Sequence, residues 1–163
     1  MRPLLFLDVD GTLIPFGPTH PAAPGPDRID RRITHRLAAL PCALVWATTW
    51  TDPNRDLCPH LSWPPLPTTP FPDPTPAQLA EDRWFGLHWK TRALSTRAAS
   101  SPFAWLDDEL TTRDRDWLQH HHPAPTLLIR VDSARGVGST ELHALECWCA
   151  GVSRPPAAAP PAD

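Results

Sequence analysis

The sequence predicts an α/β fold with a mainly parallel sheet, and three observations carry that expectation. Short apolar runs recur at Leu4–Leu7, Cys42–Ala47, Pro102–Leu106 and Thr126–Val131, with helix-forming segments between several of them. Apolar residues at helical spacing, such as Ile29, Ile33, Leu37 and Leu40, mark those segments. Two of the runs end in close carboxylate pairs, Asp8 with Asp10 and Asp107 with Asp108. Open α/β sheets bind ligands just outside the carboxyl ends of their strands.

The first strand, Leu4–Leu7, opens almost at the start of the chain and runs straight into Asp8-Val9-Asp10-Gly11-Thr12-Leu13. Two aspartates so close repel each other and are costly to bury, and a cation between them removes most of that cost. Hard oxygen ligands with room for water and phosphate suit Mg²⁺. An aspartate beside a metal can also attack phosphorus and form an aspartyl-phosphate, and Gly11 lets the backbone turn tightly enough to bring amides to an anion. The bland alternative is a β-turn with Asp and Gly at its corner.

The hexapeptide Asp8–Leu13 after an apolar strand resembles the first motif of the haloacid-dehalogenase-like (HAD) phosphohydrolase superfamily. The resemblance implies a Rossmann-like core in which Asp8 is the nucleophile and Asp10 the general acid/base. It also implies that Mg²⁺ is held by the Asp8 carboxylate and the Asp10 backbone carbonyl.

Residues 14–27, rich in Pro, Gly and Ala, read as a loop. The superfamily often inserts a cap near here, but this stretch is too short and proline-rich to fold as one. At most a flap using Phe16 and His20 is expected. Asp27 or Asp30 caps a helix through about Leu40, with Arg28, Arg31, Arg32 and Arg36 on its solvated faces. After Pro41 the second strand leads into Thr48-Thr49-Trp50. The resemblance gives the second motif as a Ser or Thr at this strand end, its hydroxyl on a phosphoryl oxygen. Thr48 fits best and Thr49 is the alternative.

Thr51 or Asp52 caps a short helix with Pro53 at its first position, through Leu57 and towards Leu61. Seven prolines lie among the fourteen residues from Trp63 to Pro76, read as a packed crossover rather than a ligand for another protein. Lys90 then precedes a helix. It is the sole lysine beside fourteen arginines, which points to a position that needs a compact ammonium. In the superfamily the third motif is such a Lys, neutralising the phosphoryl group and the nucleophile.

The strand ending at Asp107-Asp108-Glu109 resembles the fourth motif. Asp107 would coordinate Mg²⁺ directly or through water, and Asp108 would bind the metal or its waters, or orient Lys90. The sequence alone leaves open which is the direct ligand. Residues 111–122 begin as a helix and then turn polar. Arg113 to Asp116 read as a solvated segment and His120–His122 as surface. A further strand, Thr126–Val131, a loop with Gly136 and Gly138, and a last helix from Ser139 or Thr140 follow.

Residues 1–152 are expected to form one catalytic domain and 153–163 a Pro/Ala-rich tail. Net charge is −3 with no basic stripe, so bulk charge does not argue for nucleic acid. No apolar run reaches membrane-spanning length and no signal peptide is evident. The four cysteines lack paired spacing, and a reduced, cytoplasmic protein is expected. The functional expectation is a Mg²⁺-dependent phosphohydrolase working through an aspartyl-phosphate on a phosphorylated small molecule. Its catalytic residues are Asp8, Asp10, Thr48 and Lys90, and its metal residues Asp8, Asp10, Asp107 and Asp108. The alternatives are a polynucleotide end-processing phosphatase or phosphotransferase, for which Trp46, Trp50, Trp84 and Trp89 could stack bases, with core packing preferred for Trp46, and a non-catalytic binding module. An oligomer is possible.

Overall fold

The computed structural model describes residues 2–18 and 25–152. Four strands form one all-parallel sheet in the order β2-β1-β3-β4: β1 (Leu4–Leu7), β2 (Ala43–Trp46), β3 (Phe103–Asp107) and β4 (Thr126–Arg130). β1 pairs with both β2 and β3, so it lies inside the sheet. Leu7 is level with Trp46 and with Leu106. One residue further on, Asp8 therefore emerges beside Asp107.

Side chains alternate across the sheet. Leu5, Leu7, Trp46, Ala104 and Leu106 face one core with Leu37 of α1 (Arg31–Ala39) and Leu142, Leu145 and Cys149 of α7 (Ser139–Val152). Phe6, Val45, Phe103, Trp105 and Leu128 face the other. There they meet Leu94 and Ala98 of α5 (Thr91–Ala98) and Trp117 and Leu118 of α6 (Thr112–His121). The sheet is thus buried on both faces, as its nearly continuous apolar strands require.

Asp30 caps α1, accepting from Arg32 N and Ile33 N. Asp52 caps α2 (Pro53–Asp56), with Pro53 in its first turn, and a second short helix, α3 (Cys58–Leu61), follows at once. Two elements depart from expectation. Helix α4 (Pro76–Phe85) follows the proline-rich stretch. Its signals were present: a Thr75–Gln78 capping box, Pro in the first turn and Gly86 at φ 65° past its end. Helix α6 runs through the segment read as solvated. Asp114, at its third position, is fully buried rather than solvated, and His122 is buried too.

The proline-rich stretch packs as a crossover. Trp46 N donates to Pro67 O at 2.8 Å, and Thr69 N to Trp46 O at 2.9 Å. This adds a parallel bridge outside β2. Trp63 stacks on Trp46 with ring centroids 5.8 Å apart. Asn54 ties the stretch down: its Oδ1 accepts from Trp46 Nε1 and Leu66 N, and its Nδ2 donates to Leu66 O.

His20 and the 153–163 tail lie outside the described residues. Among the described residues, only a 3-10 turn at Gly25–Arg28 stands between β1 and α1, and Phe16 is exposed. No helix of the described residues is long and apolar enough to cross a membrane.

Asn54→Ala removes four hydrogen bonds, one of them from Cys58 Sγ, and leaves the Trp46 indole N–H and Leu66 amide without partners, at a cost of about 2 kcal/mol. Urea unfolding checks this, and a change below about 0.5 kcal/mol would mean the stretch is held by stacking alone.

Candidate active site

The site forms where β1, β2 and β3 end together. Asp8 leaves β1 and the chain turns at once, with Thr12, Leu13 and Ile14 all donating backbone N–H to Val9 O. Gly11 sits at φ +70°, and a Cβ there would lie 2.3 Å from Asp108 Oδ2. Any side chain at position 11 would displace the Asp108 carboxylate, so the glycine serves both the turn and the approach of the second acidic pair.

Lys90 joins the two strand ends. Its Nζ donates to Asp8 Oδ1 at 2.7 Å and to Asp107 Oδ2 at 2.8 Å. All three groups are buried: Asp8 is 7 % exposed, Lys90 4 % and Asp107 1 %. It is Asp107 and not Asp108 that holds Lys90, and Asp107 Oδ1 also accepts from Glu109 N at 3.0 Å.

The lysine is delivered by a network the sequence did not reveal. Asp114 Oδ1 accepts from His88 N at 2.7 Å and from Thr91 Oγ1 at 2.6 Å, while its Oδ2 accepts from Thr111 N at 2.9 Å. A buried carboxylate from α6 therefore fastens the start of α5, where unpaired amides favour negative charge. Lys90 N donates to His88 Nδ1 at 3.2 Å. That contact puts the ring proton on Nε2, which lies 3.2 Å from Glu109 Oε2. The Thr111-x-x-Asp114 spacing announces a capping box, but nothing in it announces the reach to His88.

Thr48 is buried past the end of β2, whereas Thr49 is exposed. Thr48 Oγ1 accepts from Trp50 N at 3.3 Å. The Trp50 indole Nε1 donates to Asp10 Oδ2 at 2.8 Å, spanning the ends of β2 and β1. Trp46 is core. Trp84 and Trp89 are exposed, at 83 % and 49 %. His120 and His121 fold back onto carbonyls of their own helix, Asp116 O and Trp117 O.

The charges do not balance. Burial pushes the Asp8 carboxyl up to about 7, with Lys90 opposing and Asp107 adding to the rise. Burial also works against the Lys90 charge, but Asp8 and Asp107 outweigh it and hold the ammonium above the usual lysine range. Asp108 is raised, first by burial and then by Asp107. Asp8, Asp107 and Asp108 each offer an oxygen within 4.8 Å of the others, a set of hard donors with excess negative charge that could hold a metal ion. His88, Asp107 and Glu109 form a second such group.

The family model for the HAD domain in Swiss Army Knife RNA repair proteins matches residues 4–142. The chain belongs to that HAD family, whose members' chemistry is that of hydrolases and phosphotransferases. Searches against curated proteins and solved structures return no match.

Without metal, Asp8 binds its proton more tightly in the folded than in the unfolded chain. Such a group contributes stability that is present below its unfolded pKa and lost as pH rises through its folded value. Asp8→Asn stays neutral throughout. In EDTA it is expected to melt above the wild type at about pH 8, the gap closing towards about pH 5. Thermal melts across that range test this, and a gap independent of pH would remove Asp8 as its source.

Proposed function

We propose that this chain is a Mg²⁺-dependent phosphoric monoester hydrolase that works through an aspartyl-phosphate on Asp8. The observation that carries the reading is the buried Lys90 ammonium bridging Asp8 and Asp107 at the sheet's carboxyl edge. A binding module has no need of a desolvated carboxylate held against an ammonium, whereas a nucleophile facing a phosphoryl dianion does.

In this reading Asp8 attacks phosphorus in line. The Asp8 O–P bond forms as the ester P–O bond breaks, and Asp10 gives a proton to the leaving oxygen. Asp10 then takes a proton from the water that attacks the aspartyl-phosphate, releasing phosphate and restoring Asp8. Lys90 uses two of its three N–H groups on Asp8 and Asp107, which leaves one for a phosphoryl oxygen. Thr48, its oxygen already accepting from Trp50 N, keeps its O–H free to donate to another. Asp8, the Asp10 carbonyl, Asp107 and Asp108 would hold Mg²⁺, which when bound supplies positive charge against the phosphoryl oxygens.

A second, narrower reading places the phosphoryl group on an RNA end. The family description favours it, and so does a groove of about 630 Å³ between the proline-rich stretch, α4 and α5. Phe71 and Trp89 line it beside exposed Arg83 and Arg97, and Phe71 packs edge-on to Trp89 at 4.8 Å. The Trp89 ring lies 5.4 Å from Lys90 Nζ. An aromatic face beside Lys90 and guanidinium groups lining the same groove suit a terminal nucleotide, although the overall charge does not advertise one.

Hydrolysis of an aryl phosphate should require Mg²⁺ and be lost in Asp8→Asn while the fold persists by circular dichroism. Full activity in that variant would sink the nucleophile assignment, and unchanged Mg²⁺ affinity in Asp107→Asn would sink its ligand role. For the RNA reading, Trp89→Ala should raise KM about tenfold for a phosphate-terminated oligoribonucleotide and leave the aryl phosphate unaffected. Equal KM for oligonucleotide and mononucleotide in the wild type would count against it.

A further inference from the structure

We infer that Trp50 is the positioning residue for the general acid, an inference that rests on the proposed reaction and concerns its proton-transfer step. Asp10, unlike Asp8, is exposed, and an exposed carboxyl on a turn has several rotamers to choose among. Its Oδ2 is instead fixed by the Trp50 indole at 2.8 Å. Trp50 is itself anchored twice: its backbone N donates to Thr48 Oγ1, and its ring, half-buried, packs on the core that contains Leu7 and Trp46. One residue thus joins the hydroxyl after β2 to the acid after β1.

The direction of the hydrogen bond assigns the proton. An indole N–H can only donate, and the carbonyl oxygen of a protonated carboxyl is the better acceptor, so the contact places the carbonyl at Oδ2 and the hydrogen of a protonated Asp10 on Oδ1. Oδ1 is then the atom that hands the proton to the ester oxygen as the Asp8 O–P bond forms and the ester P–O bond breaks, so that the alcohol departs neutral. The carboxylate that remains keeps the indole N–H on Oδ2 and has Oδ1 free to accept a proton from the hydrolytic water. Trp50 touches neither the phosphoryl group nor the leaving group. Its contribution is the angle and identity of the oxygen that does.

The test is the dependence of kcat/KM on the leaving group, because a good leaving group needs no acid. Trp50→Phe keeps the ring and removes the N–H. In the full chain with Mg²⁺ it is expected to lower kcat/KM about tenfold for an alkyl phosphate and less than about twofold for 4-nitrophenyl phosphate. In an Asp10→Ala background the same change should do nothing further to the alkyl ester. A loss of equal size for both esters, or an undiminished loss in the Asp10→Ala background, would overturn the proposal in favour of a packing role. A second measurement does not depend on turnover. The indole N–H resonance that vanishes in Trp50→Phe should shift in Asp10→Ala, and an unmoved signal refutes the contact. If no ester is hydrolysed by the wild type, the reaction and with it this role for Trp50 both fall, whichever way the indole signal behaves.

Discussion

Two carboxylates level with each other on adjacent parallel strands lie only about 5 Å apart, the spacing of the sheet itself. Asp8 and Asp107 are in that position, both desolvated, and no adjustment of the strands can separate them without breaking the register of β1 with β3. The rest of the molecule is arranged to supply the charge that makes this tolerable. Lys90 must arrive from the other side of a crossover, at the first turn of α5, with its backbone as well as its side chain fixed. The buried Asp114 holds that turn through His88 N and Thr91 Oγ1, and the His88 ring holds the Lys90 amide. A lysine merely tethered nearby would lose much of its benefit to rotamer entropy. Even so, one ammonium against two buried carboxylates and a partly buried third leaves a negative excess, and that imbalance is the physical argument for a divalent cation.

The proline-rich stretch answers a different constraint and ends up serving the same site. β2 is an edge strand, and an edge offers a template to any passing chain. Residues 66–69 lie along it, taking the Trp46 N–H on Pro67 O and returning the Thr69 N–H. Pro64, Pro65, Pro67 and Pro70 carry no N–H, so the stretch cannot present an unbroken row of donors to a further chain. Continuing outward, the stretch brings Phe71 against Trp89, next to Lys90. The cover over the sheet edge and one wall of the groove beside the site are therefore one piece of chain.

How much of this the sequence disclosed follows from where the information is stored. The strands and the carboxylates at their ends were legible because apolar runs and charged termini are local patterns, and Lys90 stood out as the only lysine. Thr48 fitted best because it follows the apolar run directly, but that it is buried and Thr49 exposed was not legible in a pair of identical neighbours. Asp114 was misread as solvated because alternating Arg and Asp from 113 to 116 look like a surface. Only the packing of α6 against the start of α5 turns one of those aspartates inward. Helix α4 was hidden by the prolines before it, although Thr75, Gln78 and Gly86 marked both of its ends. Trp50 was legible only as a ring that could stack a base, not as a donor, since its partner Asp10 lies forty residues away.

The donor chemistry of Lys90 and Trp50 sets them apart from other residues that could stand in their places. Lys90 Nζ and Trp50 Nε1 both donate and, in the states the site requires, neither accepts. A serine, a histidine or a water in the place of Trp50 could take a proton from Asp10 or present a lone pair to it, and in the proposed reaction the acid would then have two destinations for its hydrogen. An indole has no such ambiguity, because it neither ionises near neutral pH nor accepts. The same reasoning separates Lys90 from the fourteen arginines. A guanidinium spreads its charge over a planar fork whose donors all lie in one plane. A tetrahedral ammonium reaches Asp8 and Asp107 from between them and still has a third N–H to donate.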